Sequence, residues 1–176
     1  RRTPDRTDTL ADATGAVSPR KPERRIGKAF AGCTVERLLG RGAMGAVYLA
    51  RRGTESRVLK FMNALAARDT DLRRRFAREW DVLRRMAPHP NVVGVHEVHD
   101  SGDEPFIVME HVDGESLQEA CRKRGRLPAV DAARIARDVA RGLAAIHTHG
   151  ILHRDIKPAN VMLAADLTAR IVDFGL

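Results

Sequence analysis

Cysteine and long apolar runs are scarce in this chain of 176 residues. The two cysteines, Cys33 and Cys121, are too few and too far apart for a metal cluster or a disulfide framework, so a reducing, cytoplasmic setting is expected. No apolar stretch approaches the roughly 18 residues that cross a bilayer, and the first residues show no signal-peptide pattern. The sequence therefore predicts no membrane segment within this chain.

Aromatic residues and lysine are also rare. The net charge is +8, but with one tryptophan and one tyrosine there is no basic stripe interleaved with aromatics, so no nucleic-acid partner is expected. Five of the 31 basic residues are lysine, and after residue 28 only Lys60, Lys123 and Lys157 remain. In an arginine-rich background, these three lysines are candidates for specific roles.

The chain divides into a tail, a β-rich part and a helical part. Residues 1–28 are basic, contain scattered proline and threonine and lack an apolar period, which is typical of a flexible linker. Short apolar runs in residues 33–62 and 91–112 predict the strands of an antiparallel sheet. The sequence therefore indicates an α+β fold, with a small β-rich lobe that carries one helix and a helical lobe that has barely begun.

Two amphipathic helices are predicted from apolar spacing. The first carries Leu72, Phe76, Trp80, Leu83 and Met86, should have Thr70 or Asp71 as its N-cap and should stop before Pro88 and Pro90. The second should run from Pro128 to His147, with an apolar stripe made of Ile135, Val139, Leu143 and Ile146.

A glycine-rich turn lies between the first two predicted strands. In "GRGAMGAV", Gly40, Gly42 and Gly45 are followed by Val47 and by a further strand rather than a helix, which argues against a dinucleotide-binding fingerprint. Glycines in a hairpin let backbone N–H groups approach phosphates closely. On this motif alone, a plain structural turn and a phosphate cover are equally open.

Lys60 on a predicted strand and Glu79 on the first helix form a second candidate pair. A lysine that holds a triphosphate needs a carboxylate to orient it, and a helix packed across the sheet can supply one. The alternatives are an exposed strand lysine and a glutamate paired with Arg75 one turn earlier. The scarcity of lysine favours the functional interpretation of Lys60.

The end of the chain, "HRDIKPANVMLAADLTARIVDFGL", holds the third group of polar residues. Asp155 can accept or orient a hydroxyl proton, and Lys157 can neutralise a phosphoryl group in transfer. Asn160 and Asp173 can offer oxygen atoms to Mg²⁺. Any one of these could be a solvated turn residue, but four in this order and spacing indicate a catalytic site.

Taken together, the motifs resemble the eukaryotic-type protein kinases and are most similar to the bacterial serine/threonine branch. The matching segments, in order over residues 33–176, are "LGRGAMGAVYLA", "VLK", "FAREWDVL", "HPNVV", "PFIVMEHVDGESL", "HRDIKPANVML" and "DFGL". The resemblance implies a bilobal kinase fold with a complete N-lobe and hinge in residues 29–112, including the helix called helix C. Residues 113–176 would be a partial C-lobe, from helices D and E to the catalytic loop and DFG.

The resemblance also implies the reaction, the ligands and the catalytic residues. It is direct transfer of the ATP γ-phosphate to a serine or threonine hydroxyl of a protein substrate, with Mg²⁺ as cofactor. Asp155 would be the catalytic base, Asn160 and Asp173 the metal ligands, and Lys157 the serine/threonine signature. His153 would support the loop, and Arg154 would pair with a phosphate on the activation loop.

The nucleotide-binding residues implied by the resemblance lie in the N-lobe. The glycine loop would cover the phosphates, Lys60 would grip the α and β phosphates, and Glu79 would orient Lys60. Met109 would be the gatekeeper, Glu110 to Val112 the hinge that bonds adenine, and Val47 a contact to the base. One departure is Val58, where the family usually has a small alanine against adenine.

Nothing that the resemblance places after Gly175 is present in this sequence. We therefore expect the chain alone to be poorly stable and inactive, with the stripe of the second helix exposed. Two functions remain: part of an active serine/threonine kinase, on the cytoplasmic side of a membrane if the whole protein is anchored, or a kinase-like module for nucleotide binding or regulation. The presence of Asp155, Asn160 and Asp173 together favours the first.

Overall fold

The computed structural model describes residues 22–42, 45–102 and 104–174. The first lobe is a six-stranded antiparallel sheet in the order β1-β2-β3-β4-β6-β5, packed against two helices. Its elements are β1 Ala29–Phe30, β2 Cys33–Gly42, β3 Gly45–Arg52, β4 Glu55–Met62, α1 Ala64–Arg68, α2 Thr70–Arg85, β5 Val95–His99 and β6 Phe106–Glu110. The second lobe has β7 Gly114–Ser116, α3 Leu117–Arg124, α4 Ala129–His147, β8 Val161–Ala164 and β9 Ala169–Ile171.

The sheet of the first lobe is covered on both faces because side chains alternate along its strands. On one face Tyr48 and Phe61 are fully buried beneath β1. On the other face Met62, Ile107 and Met109 pack with the buried side chains of α2. Lys60 belongs to this second face, two residues before Met62, and this register directs it toward α2 rather than to solvent.

Helix α2 begins one residue earlier than the sequence predicted. Its N-cap is Asp69, whose Oδ1 accepts hydrogen bonds from the backbone N–H groups of Asp71 and Leu72, at 2.9 and 3.0 Å. The predicted caps Thr70 and Asp71 are instead the first helical residues, because a carboxylate at residue 69 already reaches the free donors of the first turn. The helix ends at Arg85, before Pro88, as predicted.

Residues 22–28 are folded onto the first lobe, although the sequence placed them in a flexible linker. Pro22–Arg25 forms a 3-10 helix, and the N–H of Gly27 donates to the carbonyl of Val35 at 2.8 Å. Arg25 donates to the hydroxyl of Tyr48 at 3.0 Å, and its guanidinium lies 4.4 Å from the ring centre of Phe61. The folded part thus starts before the predicted boundary at residue 29, and residues 1–21 of the linker prediction lie outside the described residues.

The second lobe packs α4 against the small sheet β7-β8-β9. The predicted exposure of its apolar stripe is wrong, since Ile135 and Ile146 are buried and Val139 and Leu143 are partly buried. Close approach is possible because Gly142 has no side chain: a Cβ there would lie 2.6 Å from the carbonyl oxygen of Asn91. The exposed face of α4 carries small and basic side chains, among them Ala132, Ala136, Ala140, Ala144, Arg134, Arg137 and Arg141.

None of the helices in the described part of the chain combines the length and the hydropathy needed to span a bilayer. The 19-residue α4 is long enough in principle but carries several charged side chains.

Candidate active site

The three glycines of the hairpin between β2 and β3 differ in what the fold requires of them. Gly45 has φ +149°, and a Cβ there would lie 1.8 Å from the carbonyl oxygen of Phe61 on β4. At Gly40 and Gly42 an added Cβ would meet no atom of the described residues within 4 Å. A glycine is therefore required at position 45 by the packing of the backbone. Gly40 and Gly42 instead border open space in which a ligand could approach the backbone.

Lys60 is held in the cleft between the lobes. It lies on β4 opposite Val47 on β3 and Ile107 on β6, and only 4% of its surface is exposed. Its Nζ forms an ion pair with Oδ1 of Asp173, a residue more than a hundred positions later in the sequence. The structure thus brings together two of the predicted site residues that come from different lobes.

Glu79 lies on α2 but is not the partner of Lys60. Its Oε1 accepts a hydrogen bond from Arg154, in the loop after α4, at 3.2 Å. Its Oε2 is buried and has no hydrogen-bond partner within the described ranges. The expected orientation of Lys60 by Glu79 is therefore absent in this conformation, and the alternative pair with Arg75 is not formed either among the residues described.

The loop after α4 gathers its polar residues around Asp155. Lys157 Nζ donates to Oδ2 of Asp155 at 2.6 Å, and Asn160 Nδ2 donates to the same oxygen at 3.0 Å and to the Asp155 carbonyl at 2.8 Å. A 3-10 helix from Pro158 to Asn160 sets this spacing. The hydrogen bond from Lys157, and then that from Asn160, hold the pKa of Asp155 below its usual range against the opposing effect of burial.

His153 links this loop to the segment that carries Asp173. The N–H of Asp155 donates to His153 Nδ1 at 3.3 Å, so the ring proton lies on Nε2, which donates to the Val172 carbonyl at 3.1 Å. Burial is the main cause that lowers the pKa of His153, so the ring is neutral at pH 7. His153 thus has the supporting role that the sequence suggested.

Two site residues have a left-handed backbone that only glycine adopts freely. Arg154 has φ +61° and Asp173 has φ +58°. Such conformations cost of the order of 1 kcal/mol or more and persist where the surrounding structure enforces them. Here the hydrogen bond from the Val172 N–H to the Asn160 carbonyl, at 3.0 Å, ties the two strained segments together.

Asn160 and Asp173 are suited to hold a magnesium ion. The amide nitrogen of Asn160 is used by Asp155, which leaves its oxygen as the atom that can bind a metal. Lys60 pairs with one carboxylate oxygen of Asp173, and the other remains for a ligand. The described residues contain no cluster of three or more His, Cys, Asp or Glu side chains, but Mg²⁺ in nucleotide sites often has only one or two protein ligands, with waters and phosphates completing the shell.

The predicted adenine-binding hinge, Glu110 to Val112, begins at the last residue of β6. Met109 and Val112 are buried, and Met109 is paired in register with Val58, the residue that departs from the family pattern. The carboxylate of Glu110 accepts hydrogen bonds from Arg170 on β9 and from the Gly94 N–H. The side chain of this hinge residue therefore joins the two lobes.

Sequence reasoning missed two residues at this site. Arg170, which bonds Glu110, gave no signal because an arginine before a strand end is unremarkable in a chain with so many arginines. Trp80 was interpreted only as part of the apolar face of α2, yet its ring lies 5.4 Å from Lys60 Nζ and 5.4 Å from the ring of Phe174. Its being the one tryptophan of the chain was the available signal.

The fold and the cleft define a kinase-type architecture, and comparison with known proteins agrees. Residues 33–176 match the family model described as protein kinase domain. The chain belongs to this family. A crystal structure of the kinase domain of Mycobacterium tuberculosis PknI superposes with a TM-score of 0.74 and 37% sequence identity, covering 84% of this chain and 61% of that one.

The curated relatives are bacterial serine/threonine-protein kinases. PknJ of Mycobacterium tuberculosis is 39% identical over 160 residues, which cover 88% of this chain and 27% of the relative. PkaA of Streptomyces coelicolor is 37% identical over 158 residues, which cover 81% of this chain and 29% of the relative. The chain thus spans little more than a quarter of the length of these relatives.

Proposed function

We propose that this chain is the nucleotide-binding and catalytic-loop portion of a serine/threonine protein kinase that acts in the cytoplasm. Members of the protein kinase family use ATP and Mg²⁺. The observation that carries the proposal is the convergence on one cleft of the Lys60–Asp173 ion pair and the Asp155–Lys157–Asn160 cluster.

Each residue has a role that follows from its surroundings. Lys60 would hold the α and β phosphates beneath the open backbone at Gly40 and Gly42. Asn160 and Asp173 would hold Mg²⁺, which neutralises charge on the phosphates when it is bound. Met109, Glu110 and Val112 would border the adenine, with Val47 on its other face.

Asp155 would act on the substrate hydroxyl. The low pKa of its carboxyl group keeps it ionised at neutral pH, so it can orient the serine or threonine hydroxyl and accept its proton. The hydroxyl oxygen then bonds to the γ-phosphorus while the bond to the leaving ADP breaks. Lys157, which bonds Asp155, lies where it can neutralise the transferring group.

Phosphate transfer by the whole protein that contains this chain tests the proposal. We expect Asp155→Asn to lower transfer to a generic protein substrate by about 10³-fold while leaving nucleotide affinity within about twofold, because the carboxylate acts on the hydroxyl and not on ATP. Lys60→Met should instead weaken ATP binding. Undiminished transfer by Asp155→Asn would refute the assignment.

A second candidate, a kinase-like module for nucleotide binding or regulation, is favoured by one observation. Glu79 is paired with Arg154 and not with Lys60, so the pair that the reaction requires is not assembled in this conformation. If the whole protein binds ATP with Mg²⁺ but transfers no phosphate to itself or to a substrate, this second function is correct.

A further inference from the structure

Trp80 lies against Lys60 in the cleft. It is fully buried on α2, and the Nζ atom of Lys60 lies 5.4 Å from its ring centre, within the range of cation–π attraction. Among the described residues, Asp173 is the only carboxylate within ion-pair distance of that ammonium. An indole face therefore supports Lys60 where the sequence predicted the Glu79 carboxylate.

Trp80 also contacts the segment that carries the lysine's partner. The ring of Phe174 meets it edge to face, with ring centres 5.4 Å apart and an interplanar angle of 83°. Phe174 follows Asp173 directly, so the Trp80 side chain packs against Lys60 and against the residue next to the lysine's partner. A change in the size or shape of residue 80 would move the lysine and the carboxylate relative to each other.

Filling space does not by itself explain a tryptophan at this position. Its indole N–H is buried without a hydrogen-bond acceptor within the described ranges, a cost that leucine or phenylalanine would not incur. An indole has the strongest cation-binding face of the aromatic side chains. A cation–π contact with Lys60 is a gain of the size needed to offset this cost.

We propose that Trp80 is a positioning residue that holds the Lys60 ammonium in the cleft, by a cation–π contact, whenever Glu79 is engaged with Arg154. Trp80 is not one of the residues predicted to bind ATP or Mg²⁺, and it acts through Lys60. The inference rests on the proposed function, because a positioned Lys60 matters for the binding of nucleotide phosphates.

The first test needs no nucleotide. In the whole protein labelled with ¹³C at lysine Cε, the Lys60 signal can be assigned as the one that is lost in Lys60→Arg. Protons above an indole face are shifted upfield, so in the wild type we expect the Hε signal of Lys60 to stand apart from the other lysine signals. The shift should vanish in Trp80→Leu and be reduced in Trp80→Phe.

Phe76→Leu is the matched control, because Phe76 is a buried aromatic of the same helix that packs on Trp80 but not on Lys60. We expect both Phe76→Leu and Trp80→Leu to lower the melting temperature, but only Phe76→Leu to keep the shifted Lys60 signal. A Lys60 signal that is unshifted in the wild type, or equally shifted in Trp80→Leu, would overturn the proposal.

The second test measures the affinity of a fluorescent ADP analogue in the presence of Mg²⁺. We expect Trp80→Leu to weaken binding about fivefold, Trp80→Phe by no more than about twofold, and Phe76→Leu not at all. If Trp80→Leu does not fold, Trp80→Phe and Phe76→Leu are compared instead. Trp80→Phe should then bind the analogue more weakly than Phe76→Leu. Equal affinity in folded Trp80→Leu and wild type contradicts a positioning role.

The two tests also separate the proposals. A wild-type protein with a shifted Lys60 signal but no affinity for the analogue would refute the nucleotide-binding function and would support the Trp80–Lys60 contact. Affinity in the wild type with an unshifted Lys60 signal would support the function and refute the contact.

Discussion

The two halves of the candidate site differ in how closely they follow the sequence prediction. In the loop after α4, Asp155, Lys157 and Asn160 are hydrogen-bonded to one another, and these contacts join residues two to five positions apart. In the first lobe, the predicted contact between Lys60 and Glu79 is replaced by two others, to Asp173 and Arg154. Local spacing fixes the loop, whereas the lysine's partner depends on the rotation and position of an entire helix.

The largest effect on stability is expected in the sheet, at Gly45, where a glycine is required by a contact with a different strand. Gly45→Ala should lower the free energy of unfolding by about 3 kcal/mol or more, because its Cβ would collide with the Phe61 carbonyl and its φ is unfavourable. Gly42→Ala should change stability by less than about 1 kcal/mol but weaken binding of an ATP analogue. Urea denaturation measures the first and calorimetric titration the second.

Equal destabilisation by the two alanine variants would show that both glycines serve the backbone. It would also remove the distinction between a glycine kept for the fold and one kept for a ligand.

A smaller effect on stability is expected for the Glu79–Arg154 pair, which is present where a Glu79–Lys60 pair was predicted. A double-mutant cycle with Glu79→Gln and Arg154→Ala should give a coupling free energy of up to about 1 kcal/mol, because the arginine is half exposed. In Arg154→Ala the Glu79 carboxylate loses its partner and is free to turn toward Lys60. The matched control is Arg75→Ala, one turn from Glu79, which should show no coupling; comparable coupling there would mean that Glu79 is shared between arginines.

The smallest effect is expected within the loop, in the pH dependence of phosphate transfer by the whole protein. The hydrogen bond from Lys157 is the first cause of the lowered pKa of Asp155, so Lys157→Met should raise that pKa. In the proposed mechanism the ionised Asp155 carboxylate accepts the proton, so the acid limb of the rate profile should move to higher pH. An acid limb that stays in place in this variant, with the maximum rate still measurable, would show that Lys157 does not tune Asp155.

The sequence predicted most of what local chemistry decides. The strands, the end of α2 and the grouping around Asp155 follow from alternation, proline and short spacing. The N-cap at Asp69 was missed by one residue, since Asp69, Thr70 and Asp71 are all good caps and only geometry selects among them.

Longer-range features could not be predicted from pattern. The stripe on α4 was expected to need helices absent from this chain, but the close approach at Gly142 lets β9 and the Asn91 segment cover it. Similarly, nothing near Arg25 indicates that it would reach Tyr48 and Phe61, because those partners lie 23 or more positions away. The ion pair of Lys60 with Asp173 likewise joins residues far apart in the sequence and could not be predicted from pattern.

The contact made by Arg25 has a practical consequence for recombinant expression. The family match begins at Cys33, and a gene fragment cut there would omit Arg25. The aromatic cluster around Phe61 would lose the cation above its ring, and Glu104 would lose the guanidinium that lies 2.9 Å away. Expression boundaries for crystallisation should therefore be placed upstream of Pro22, so that the 3-10 helix carrying Arg25 is kept.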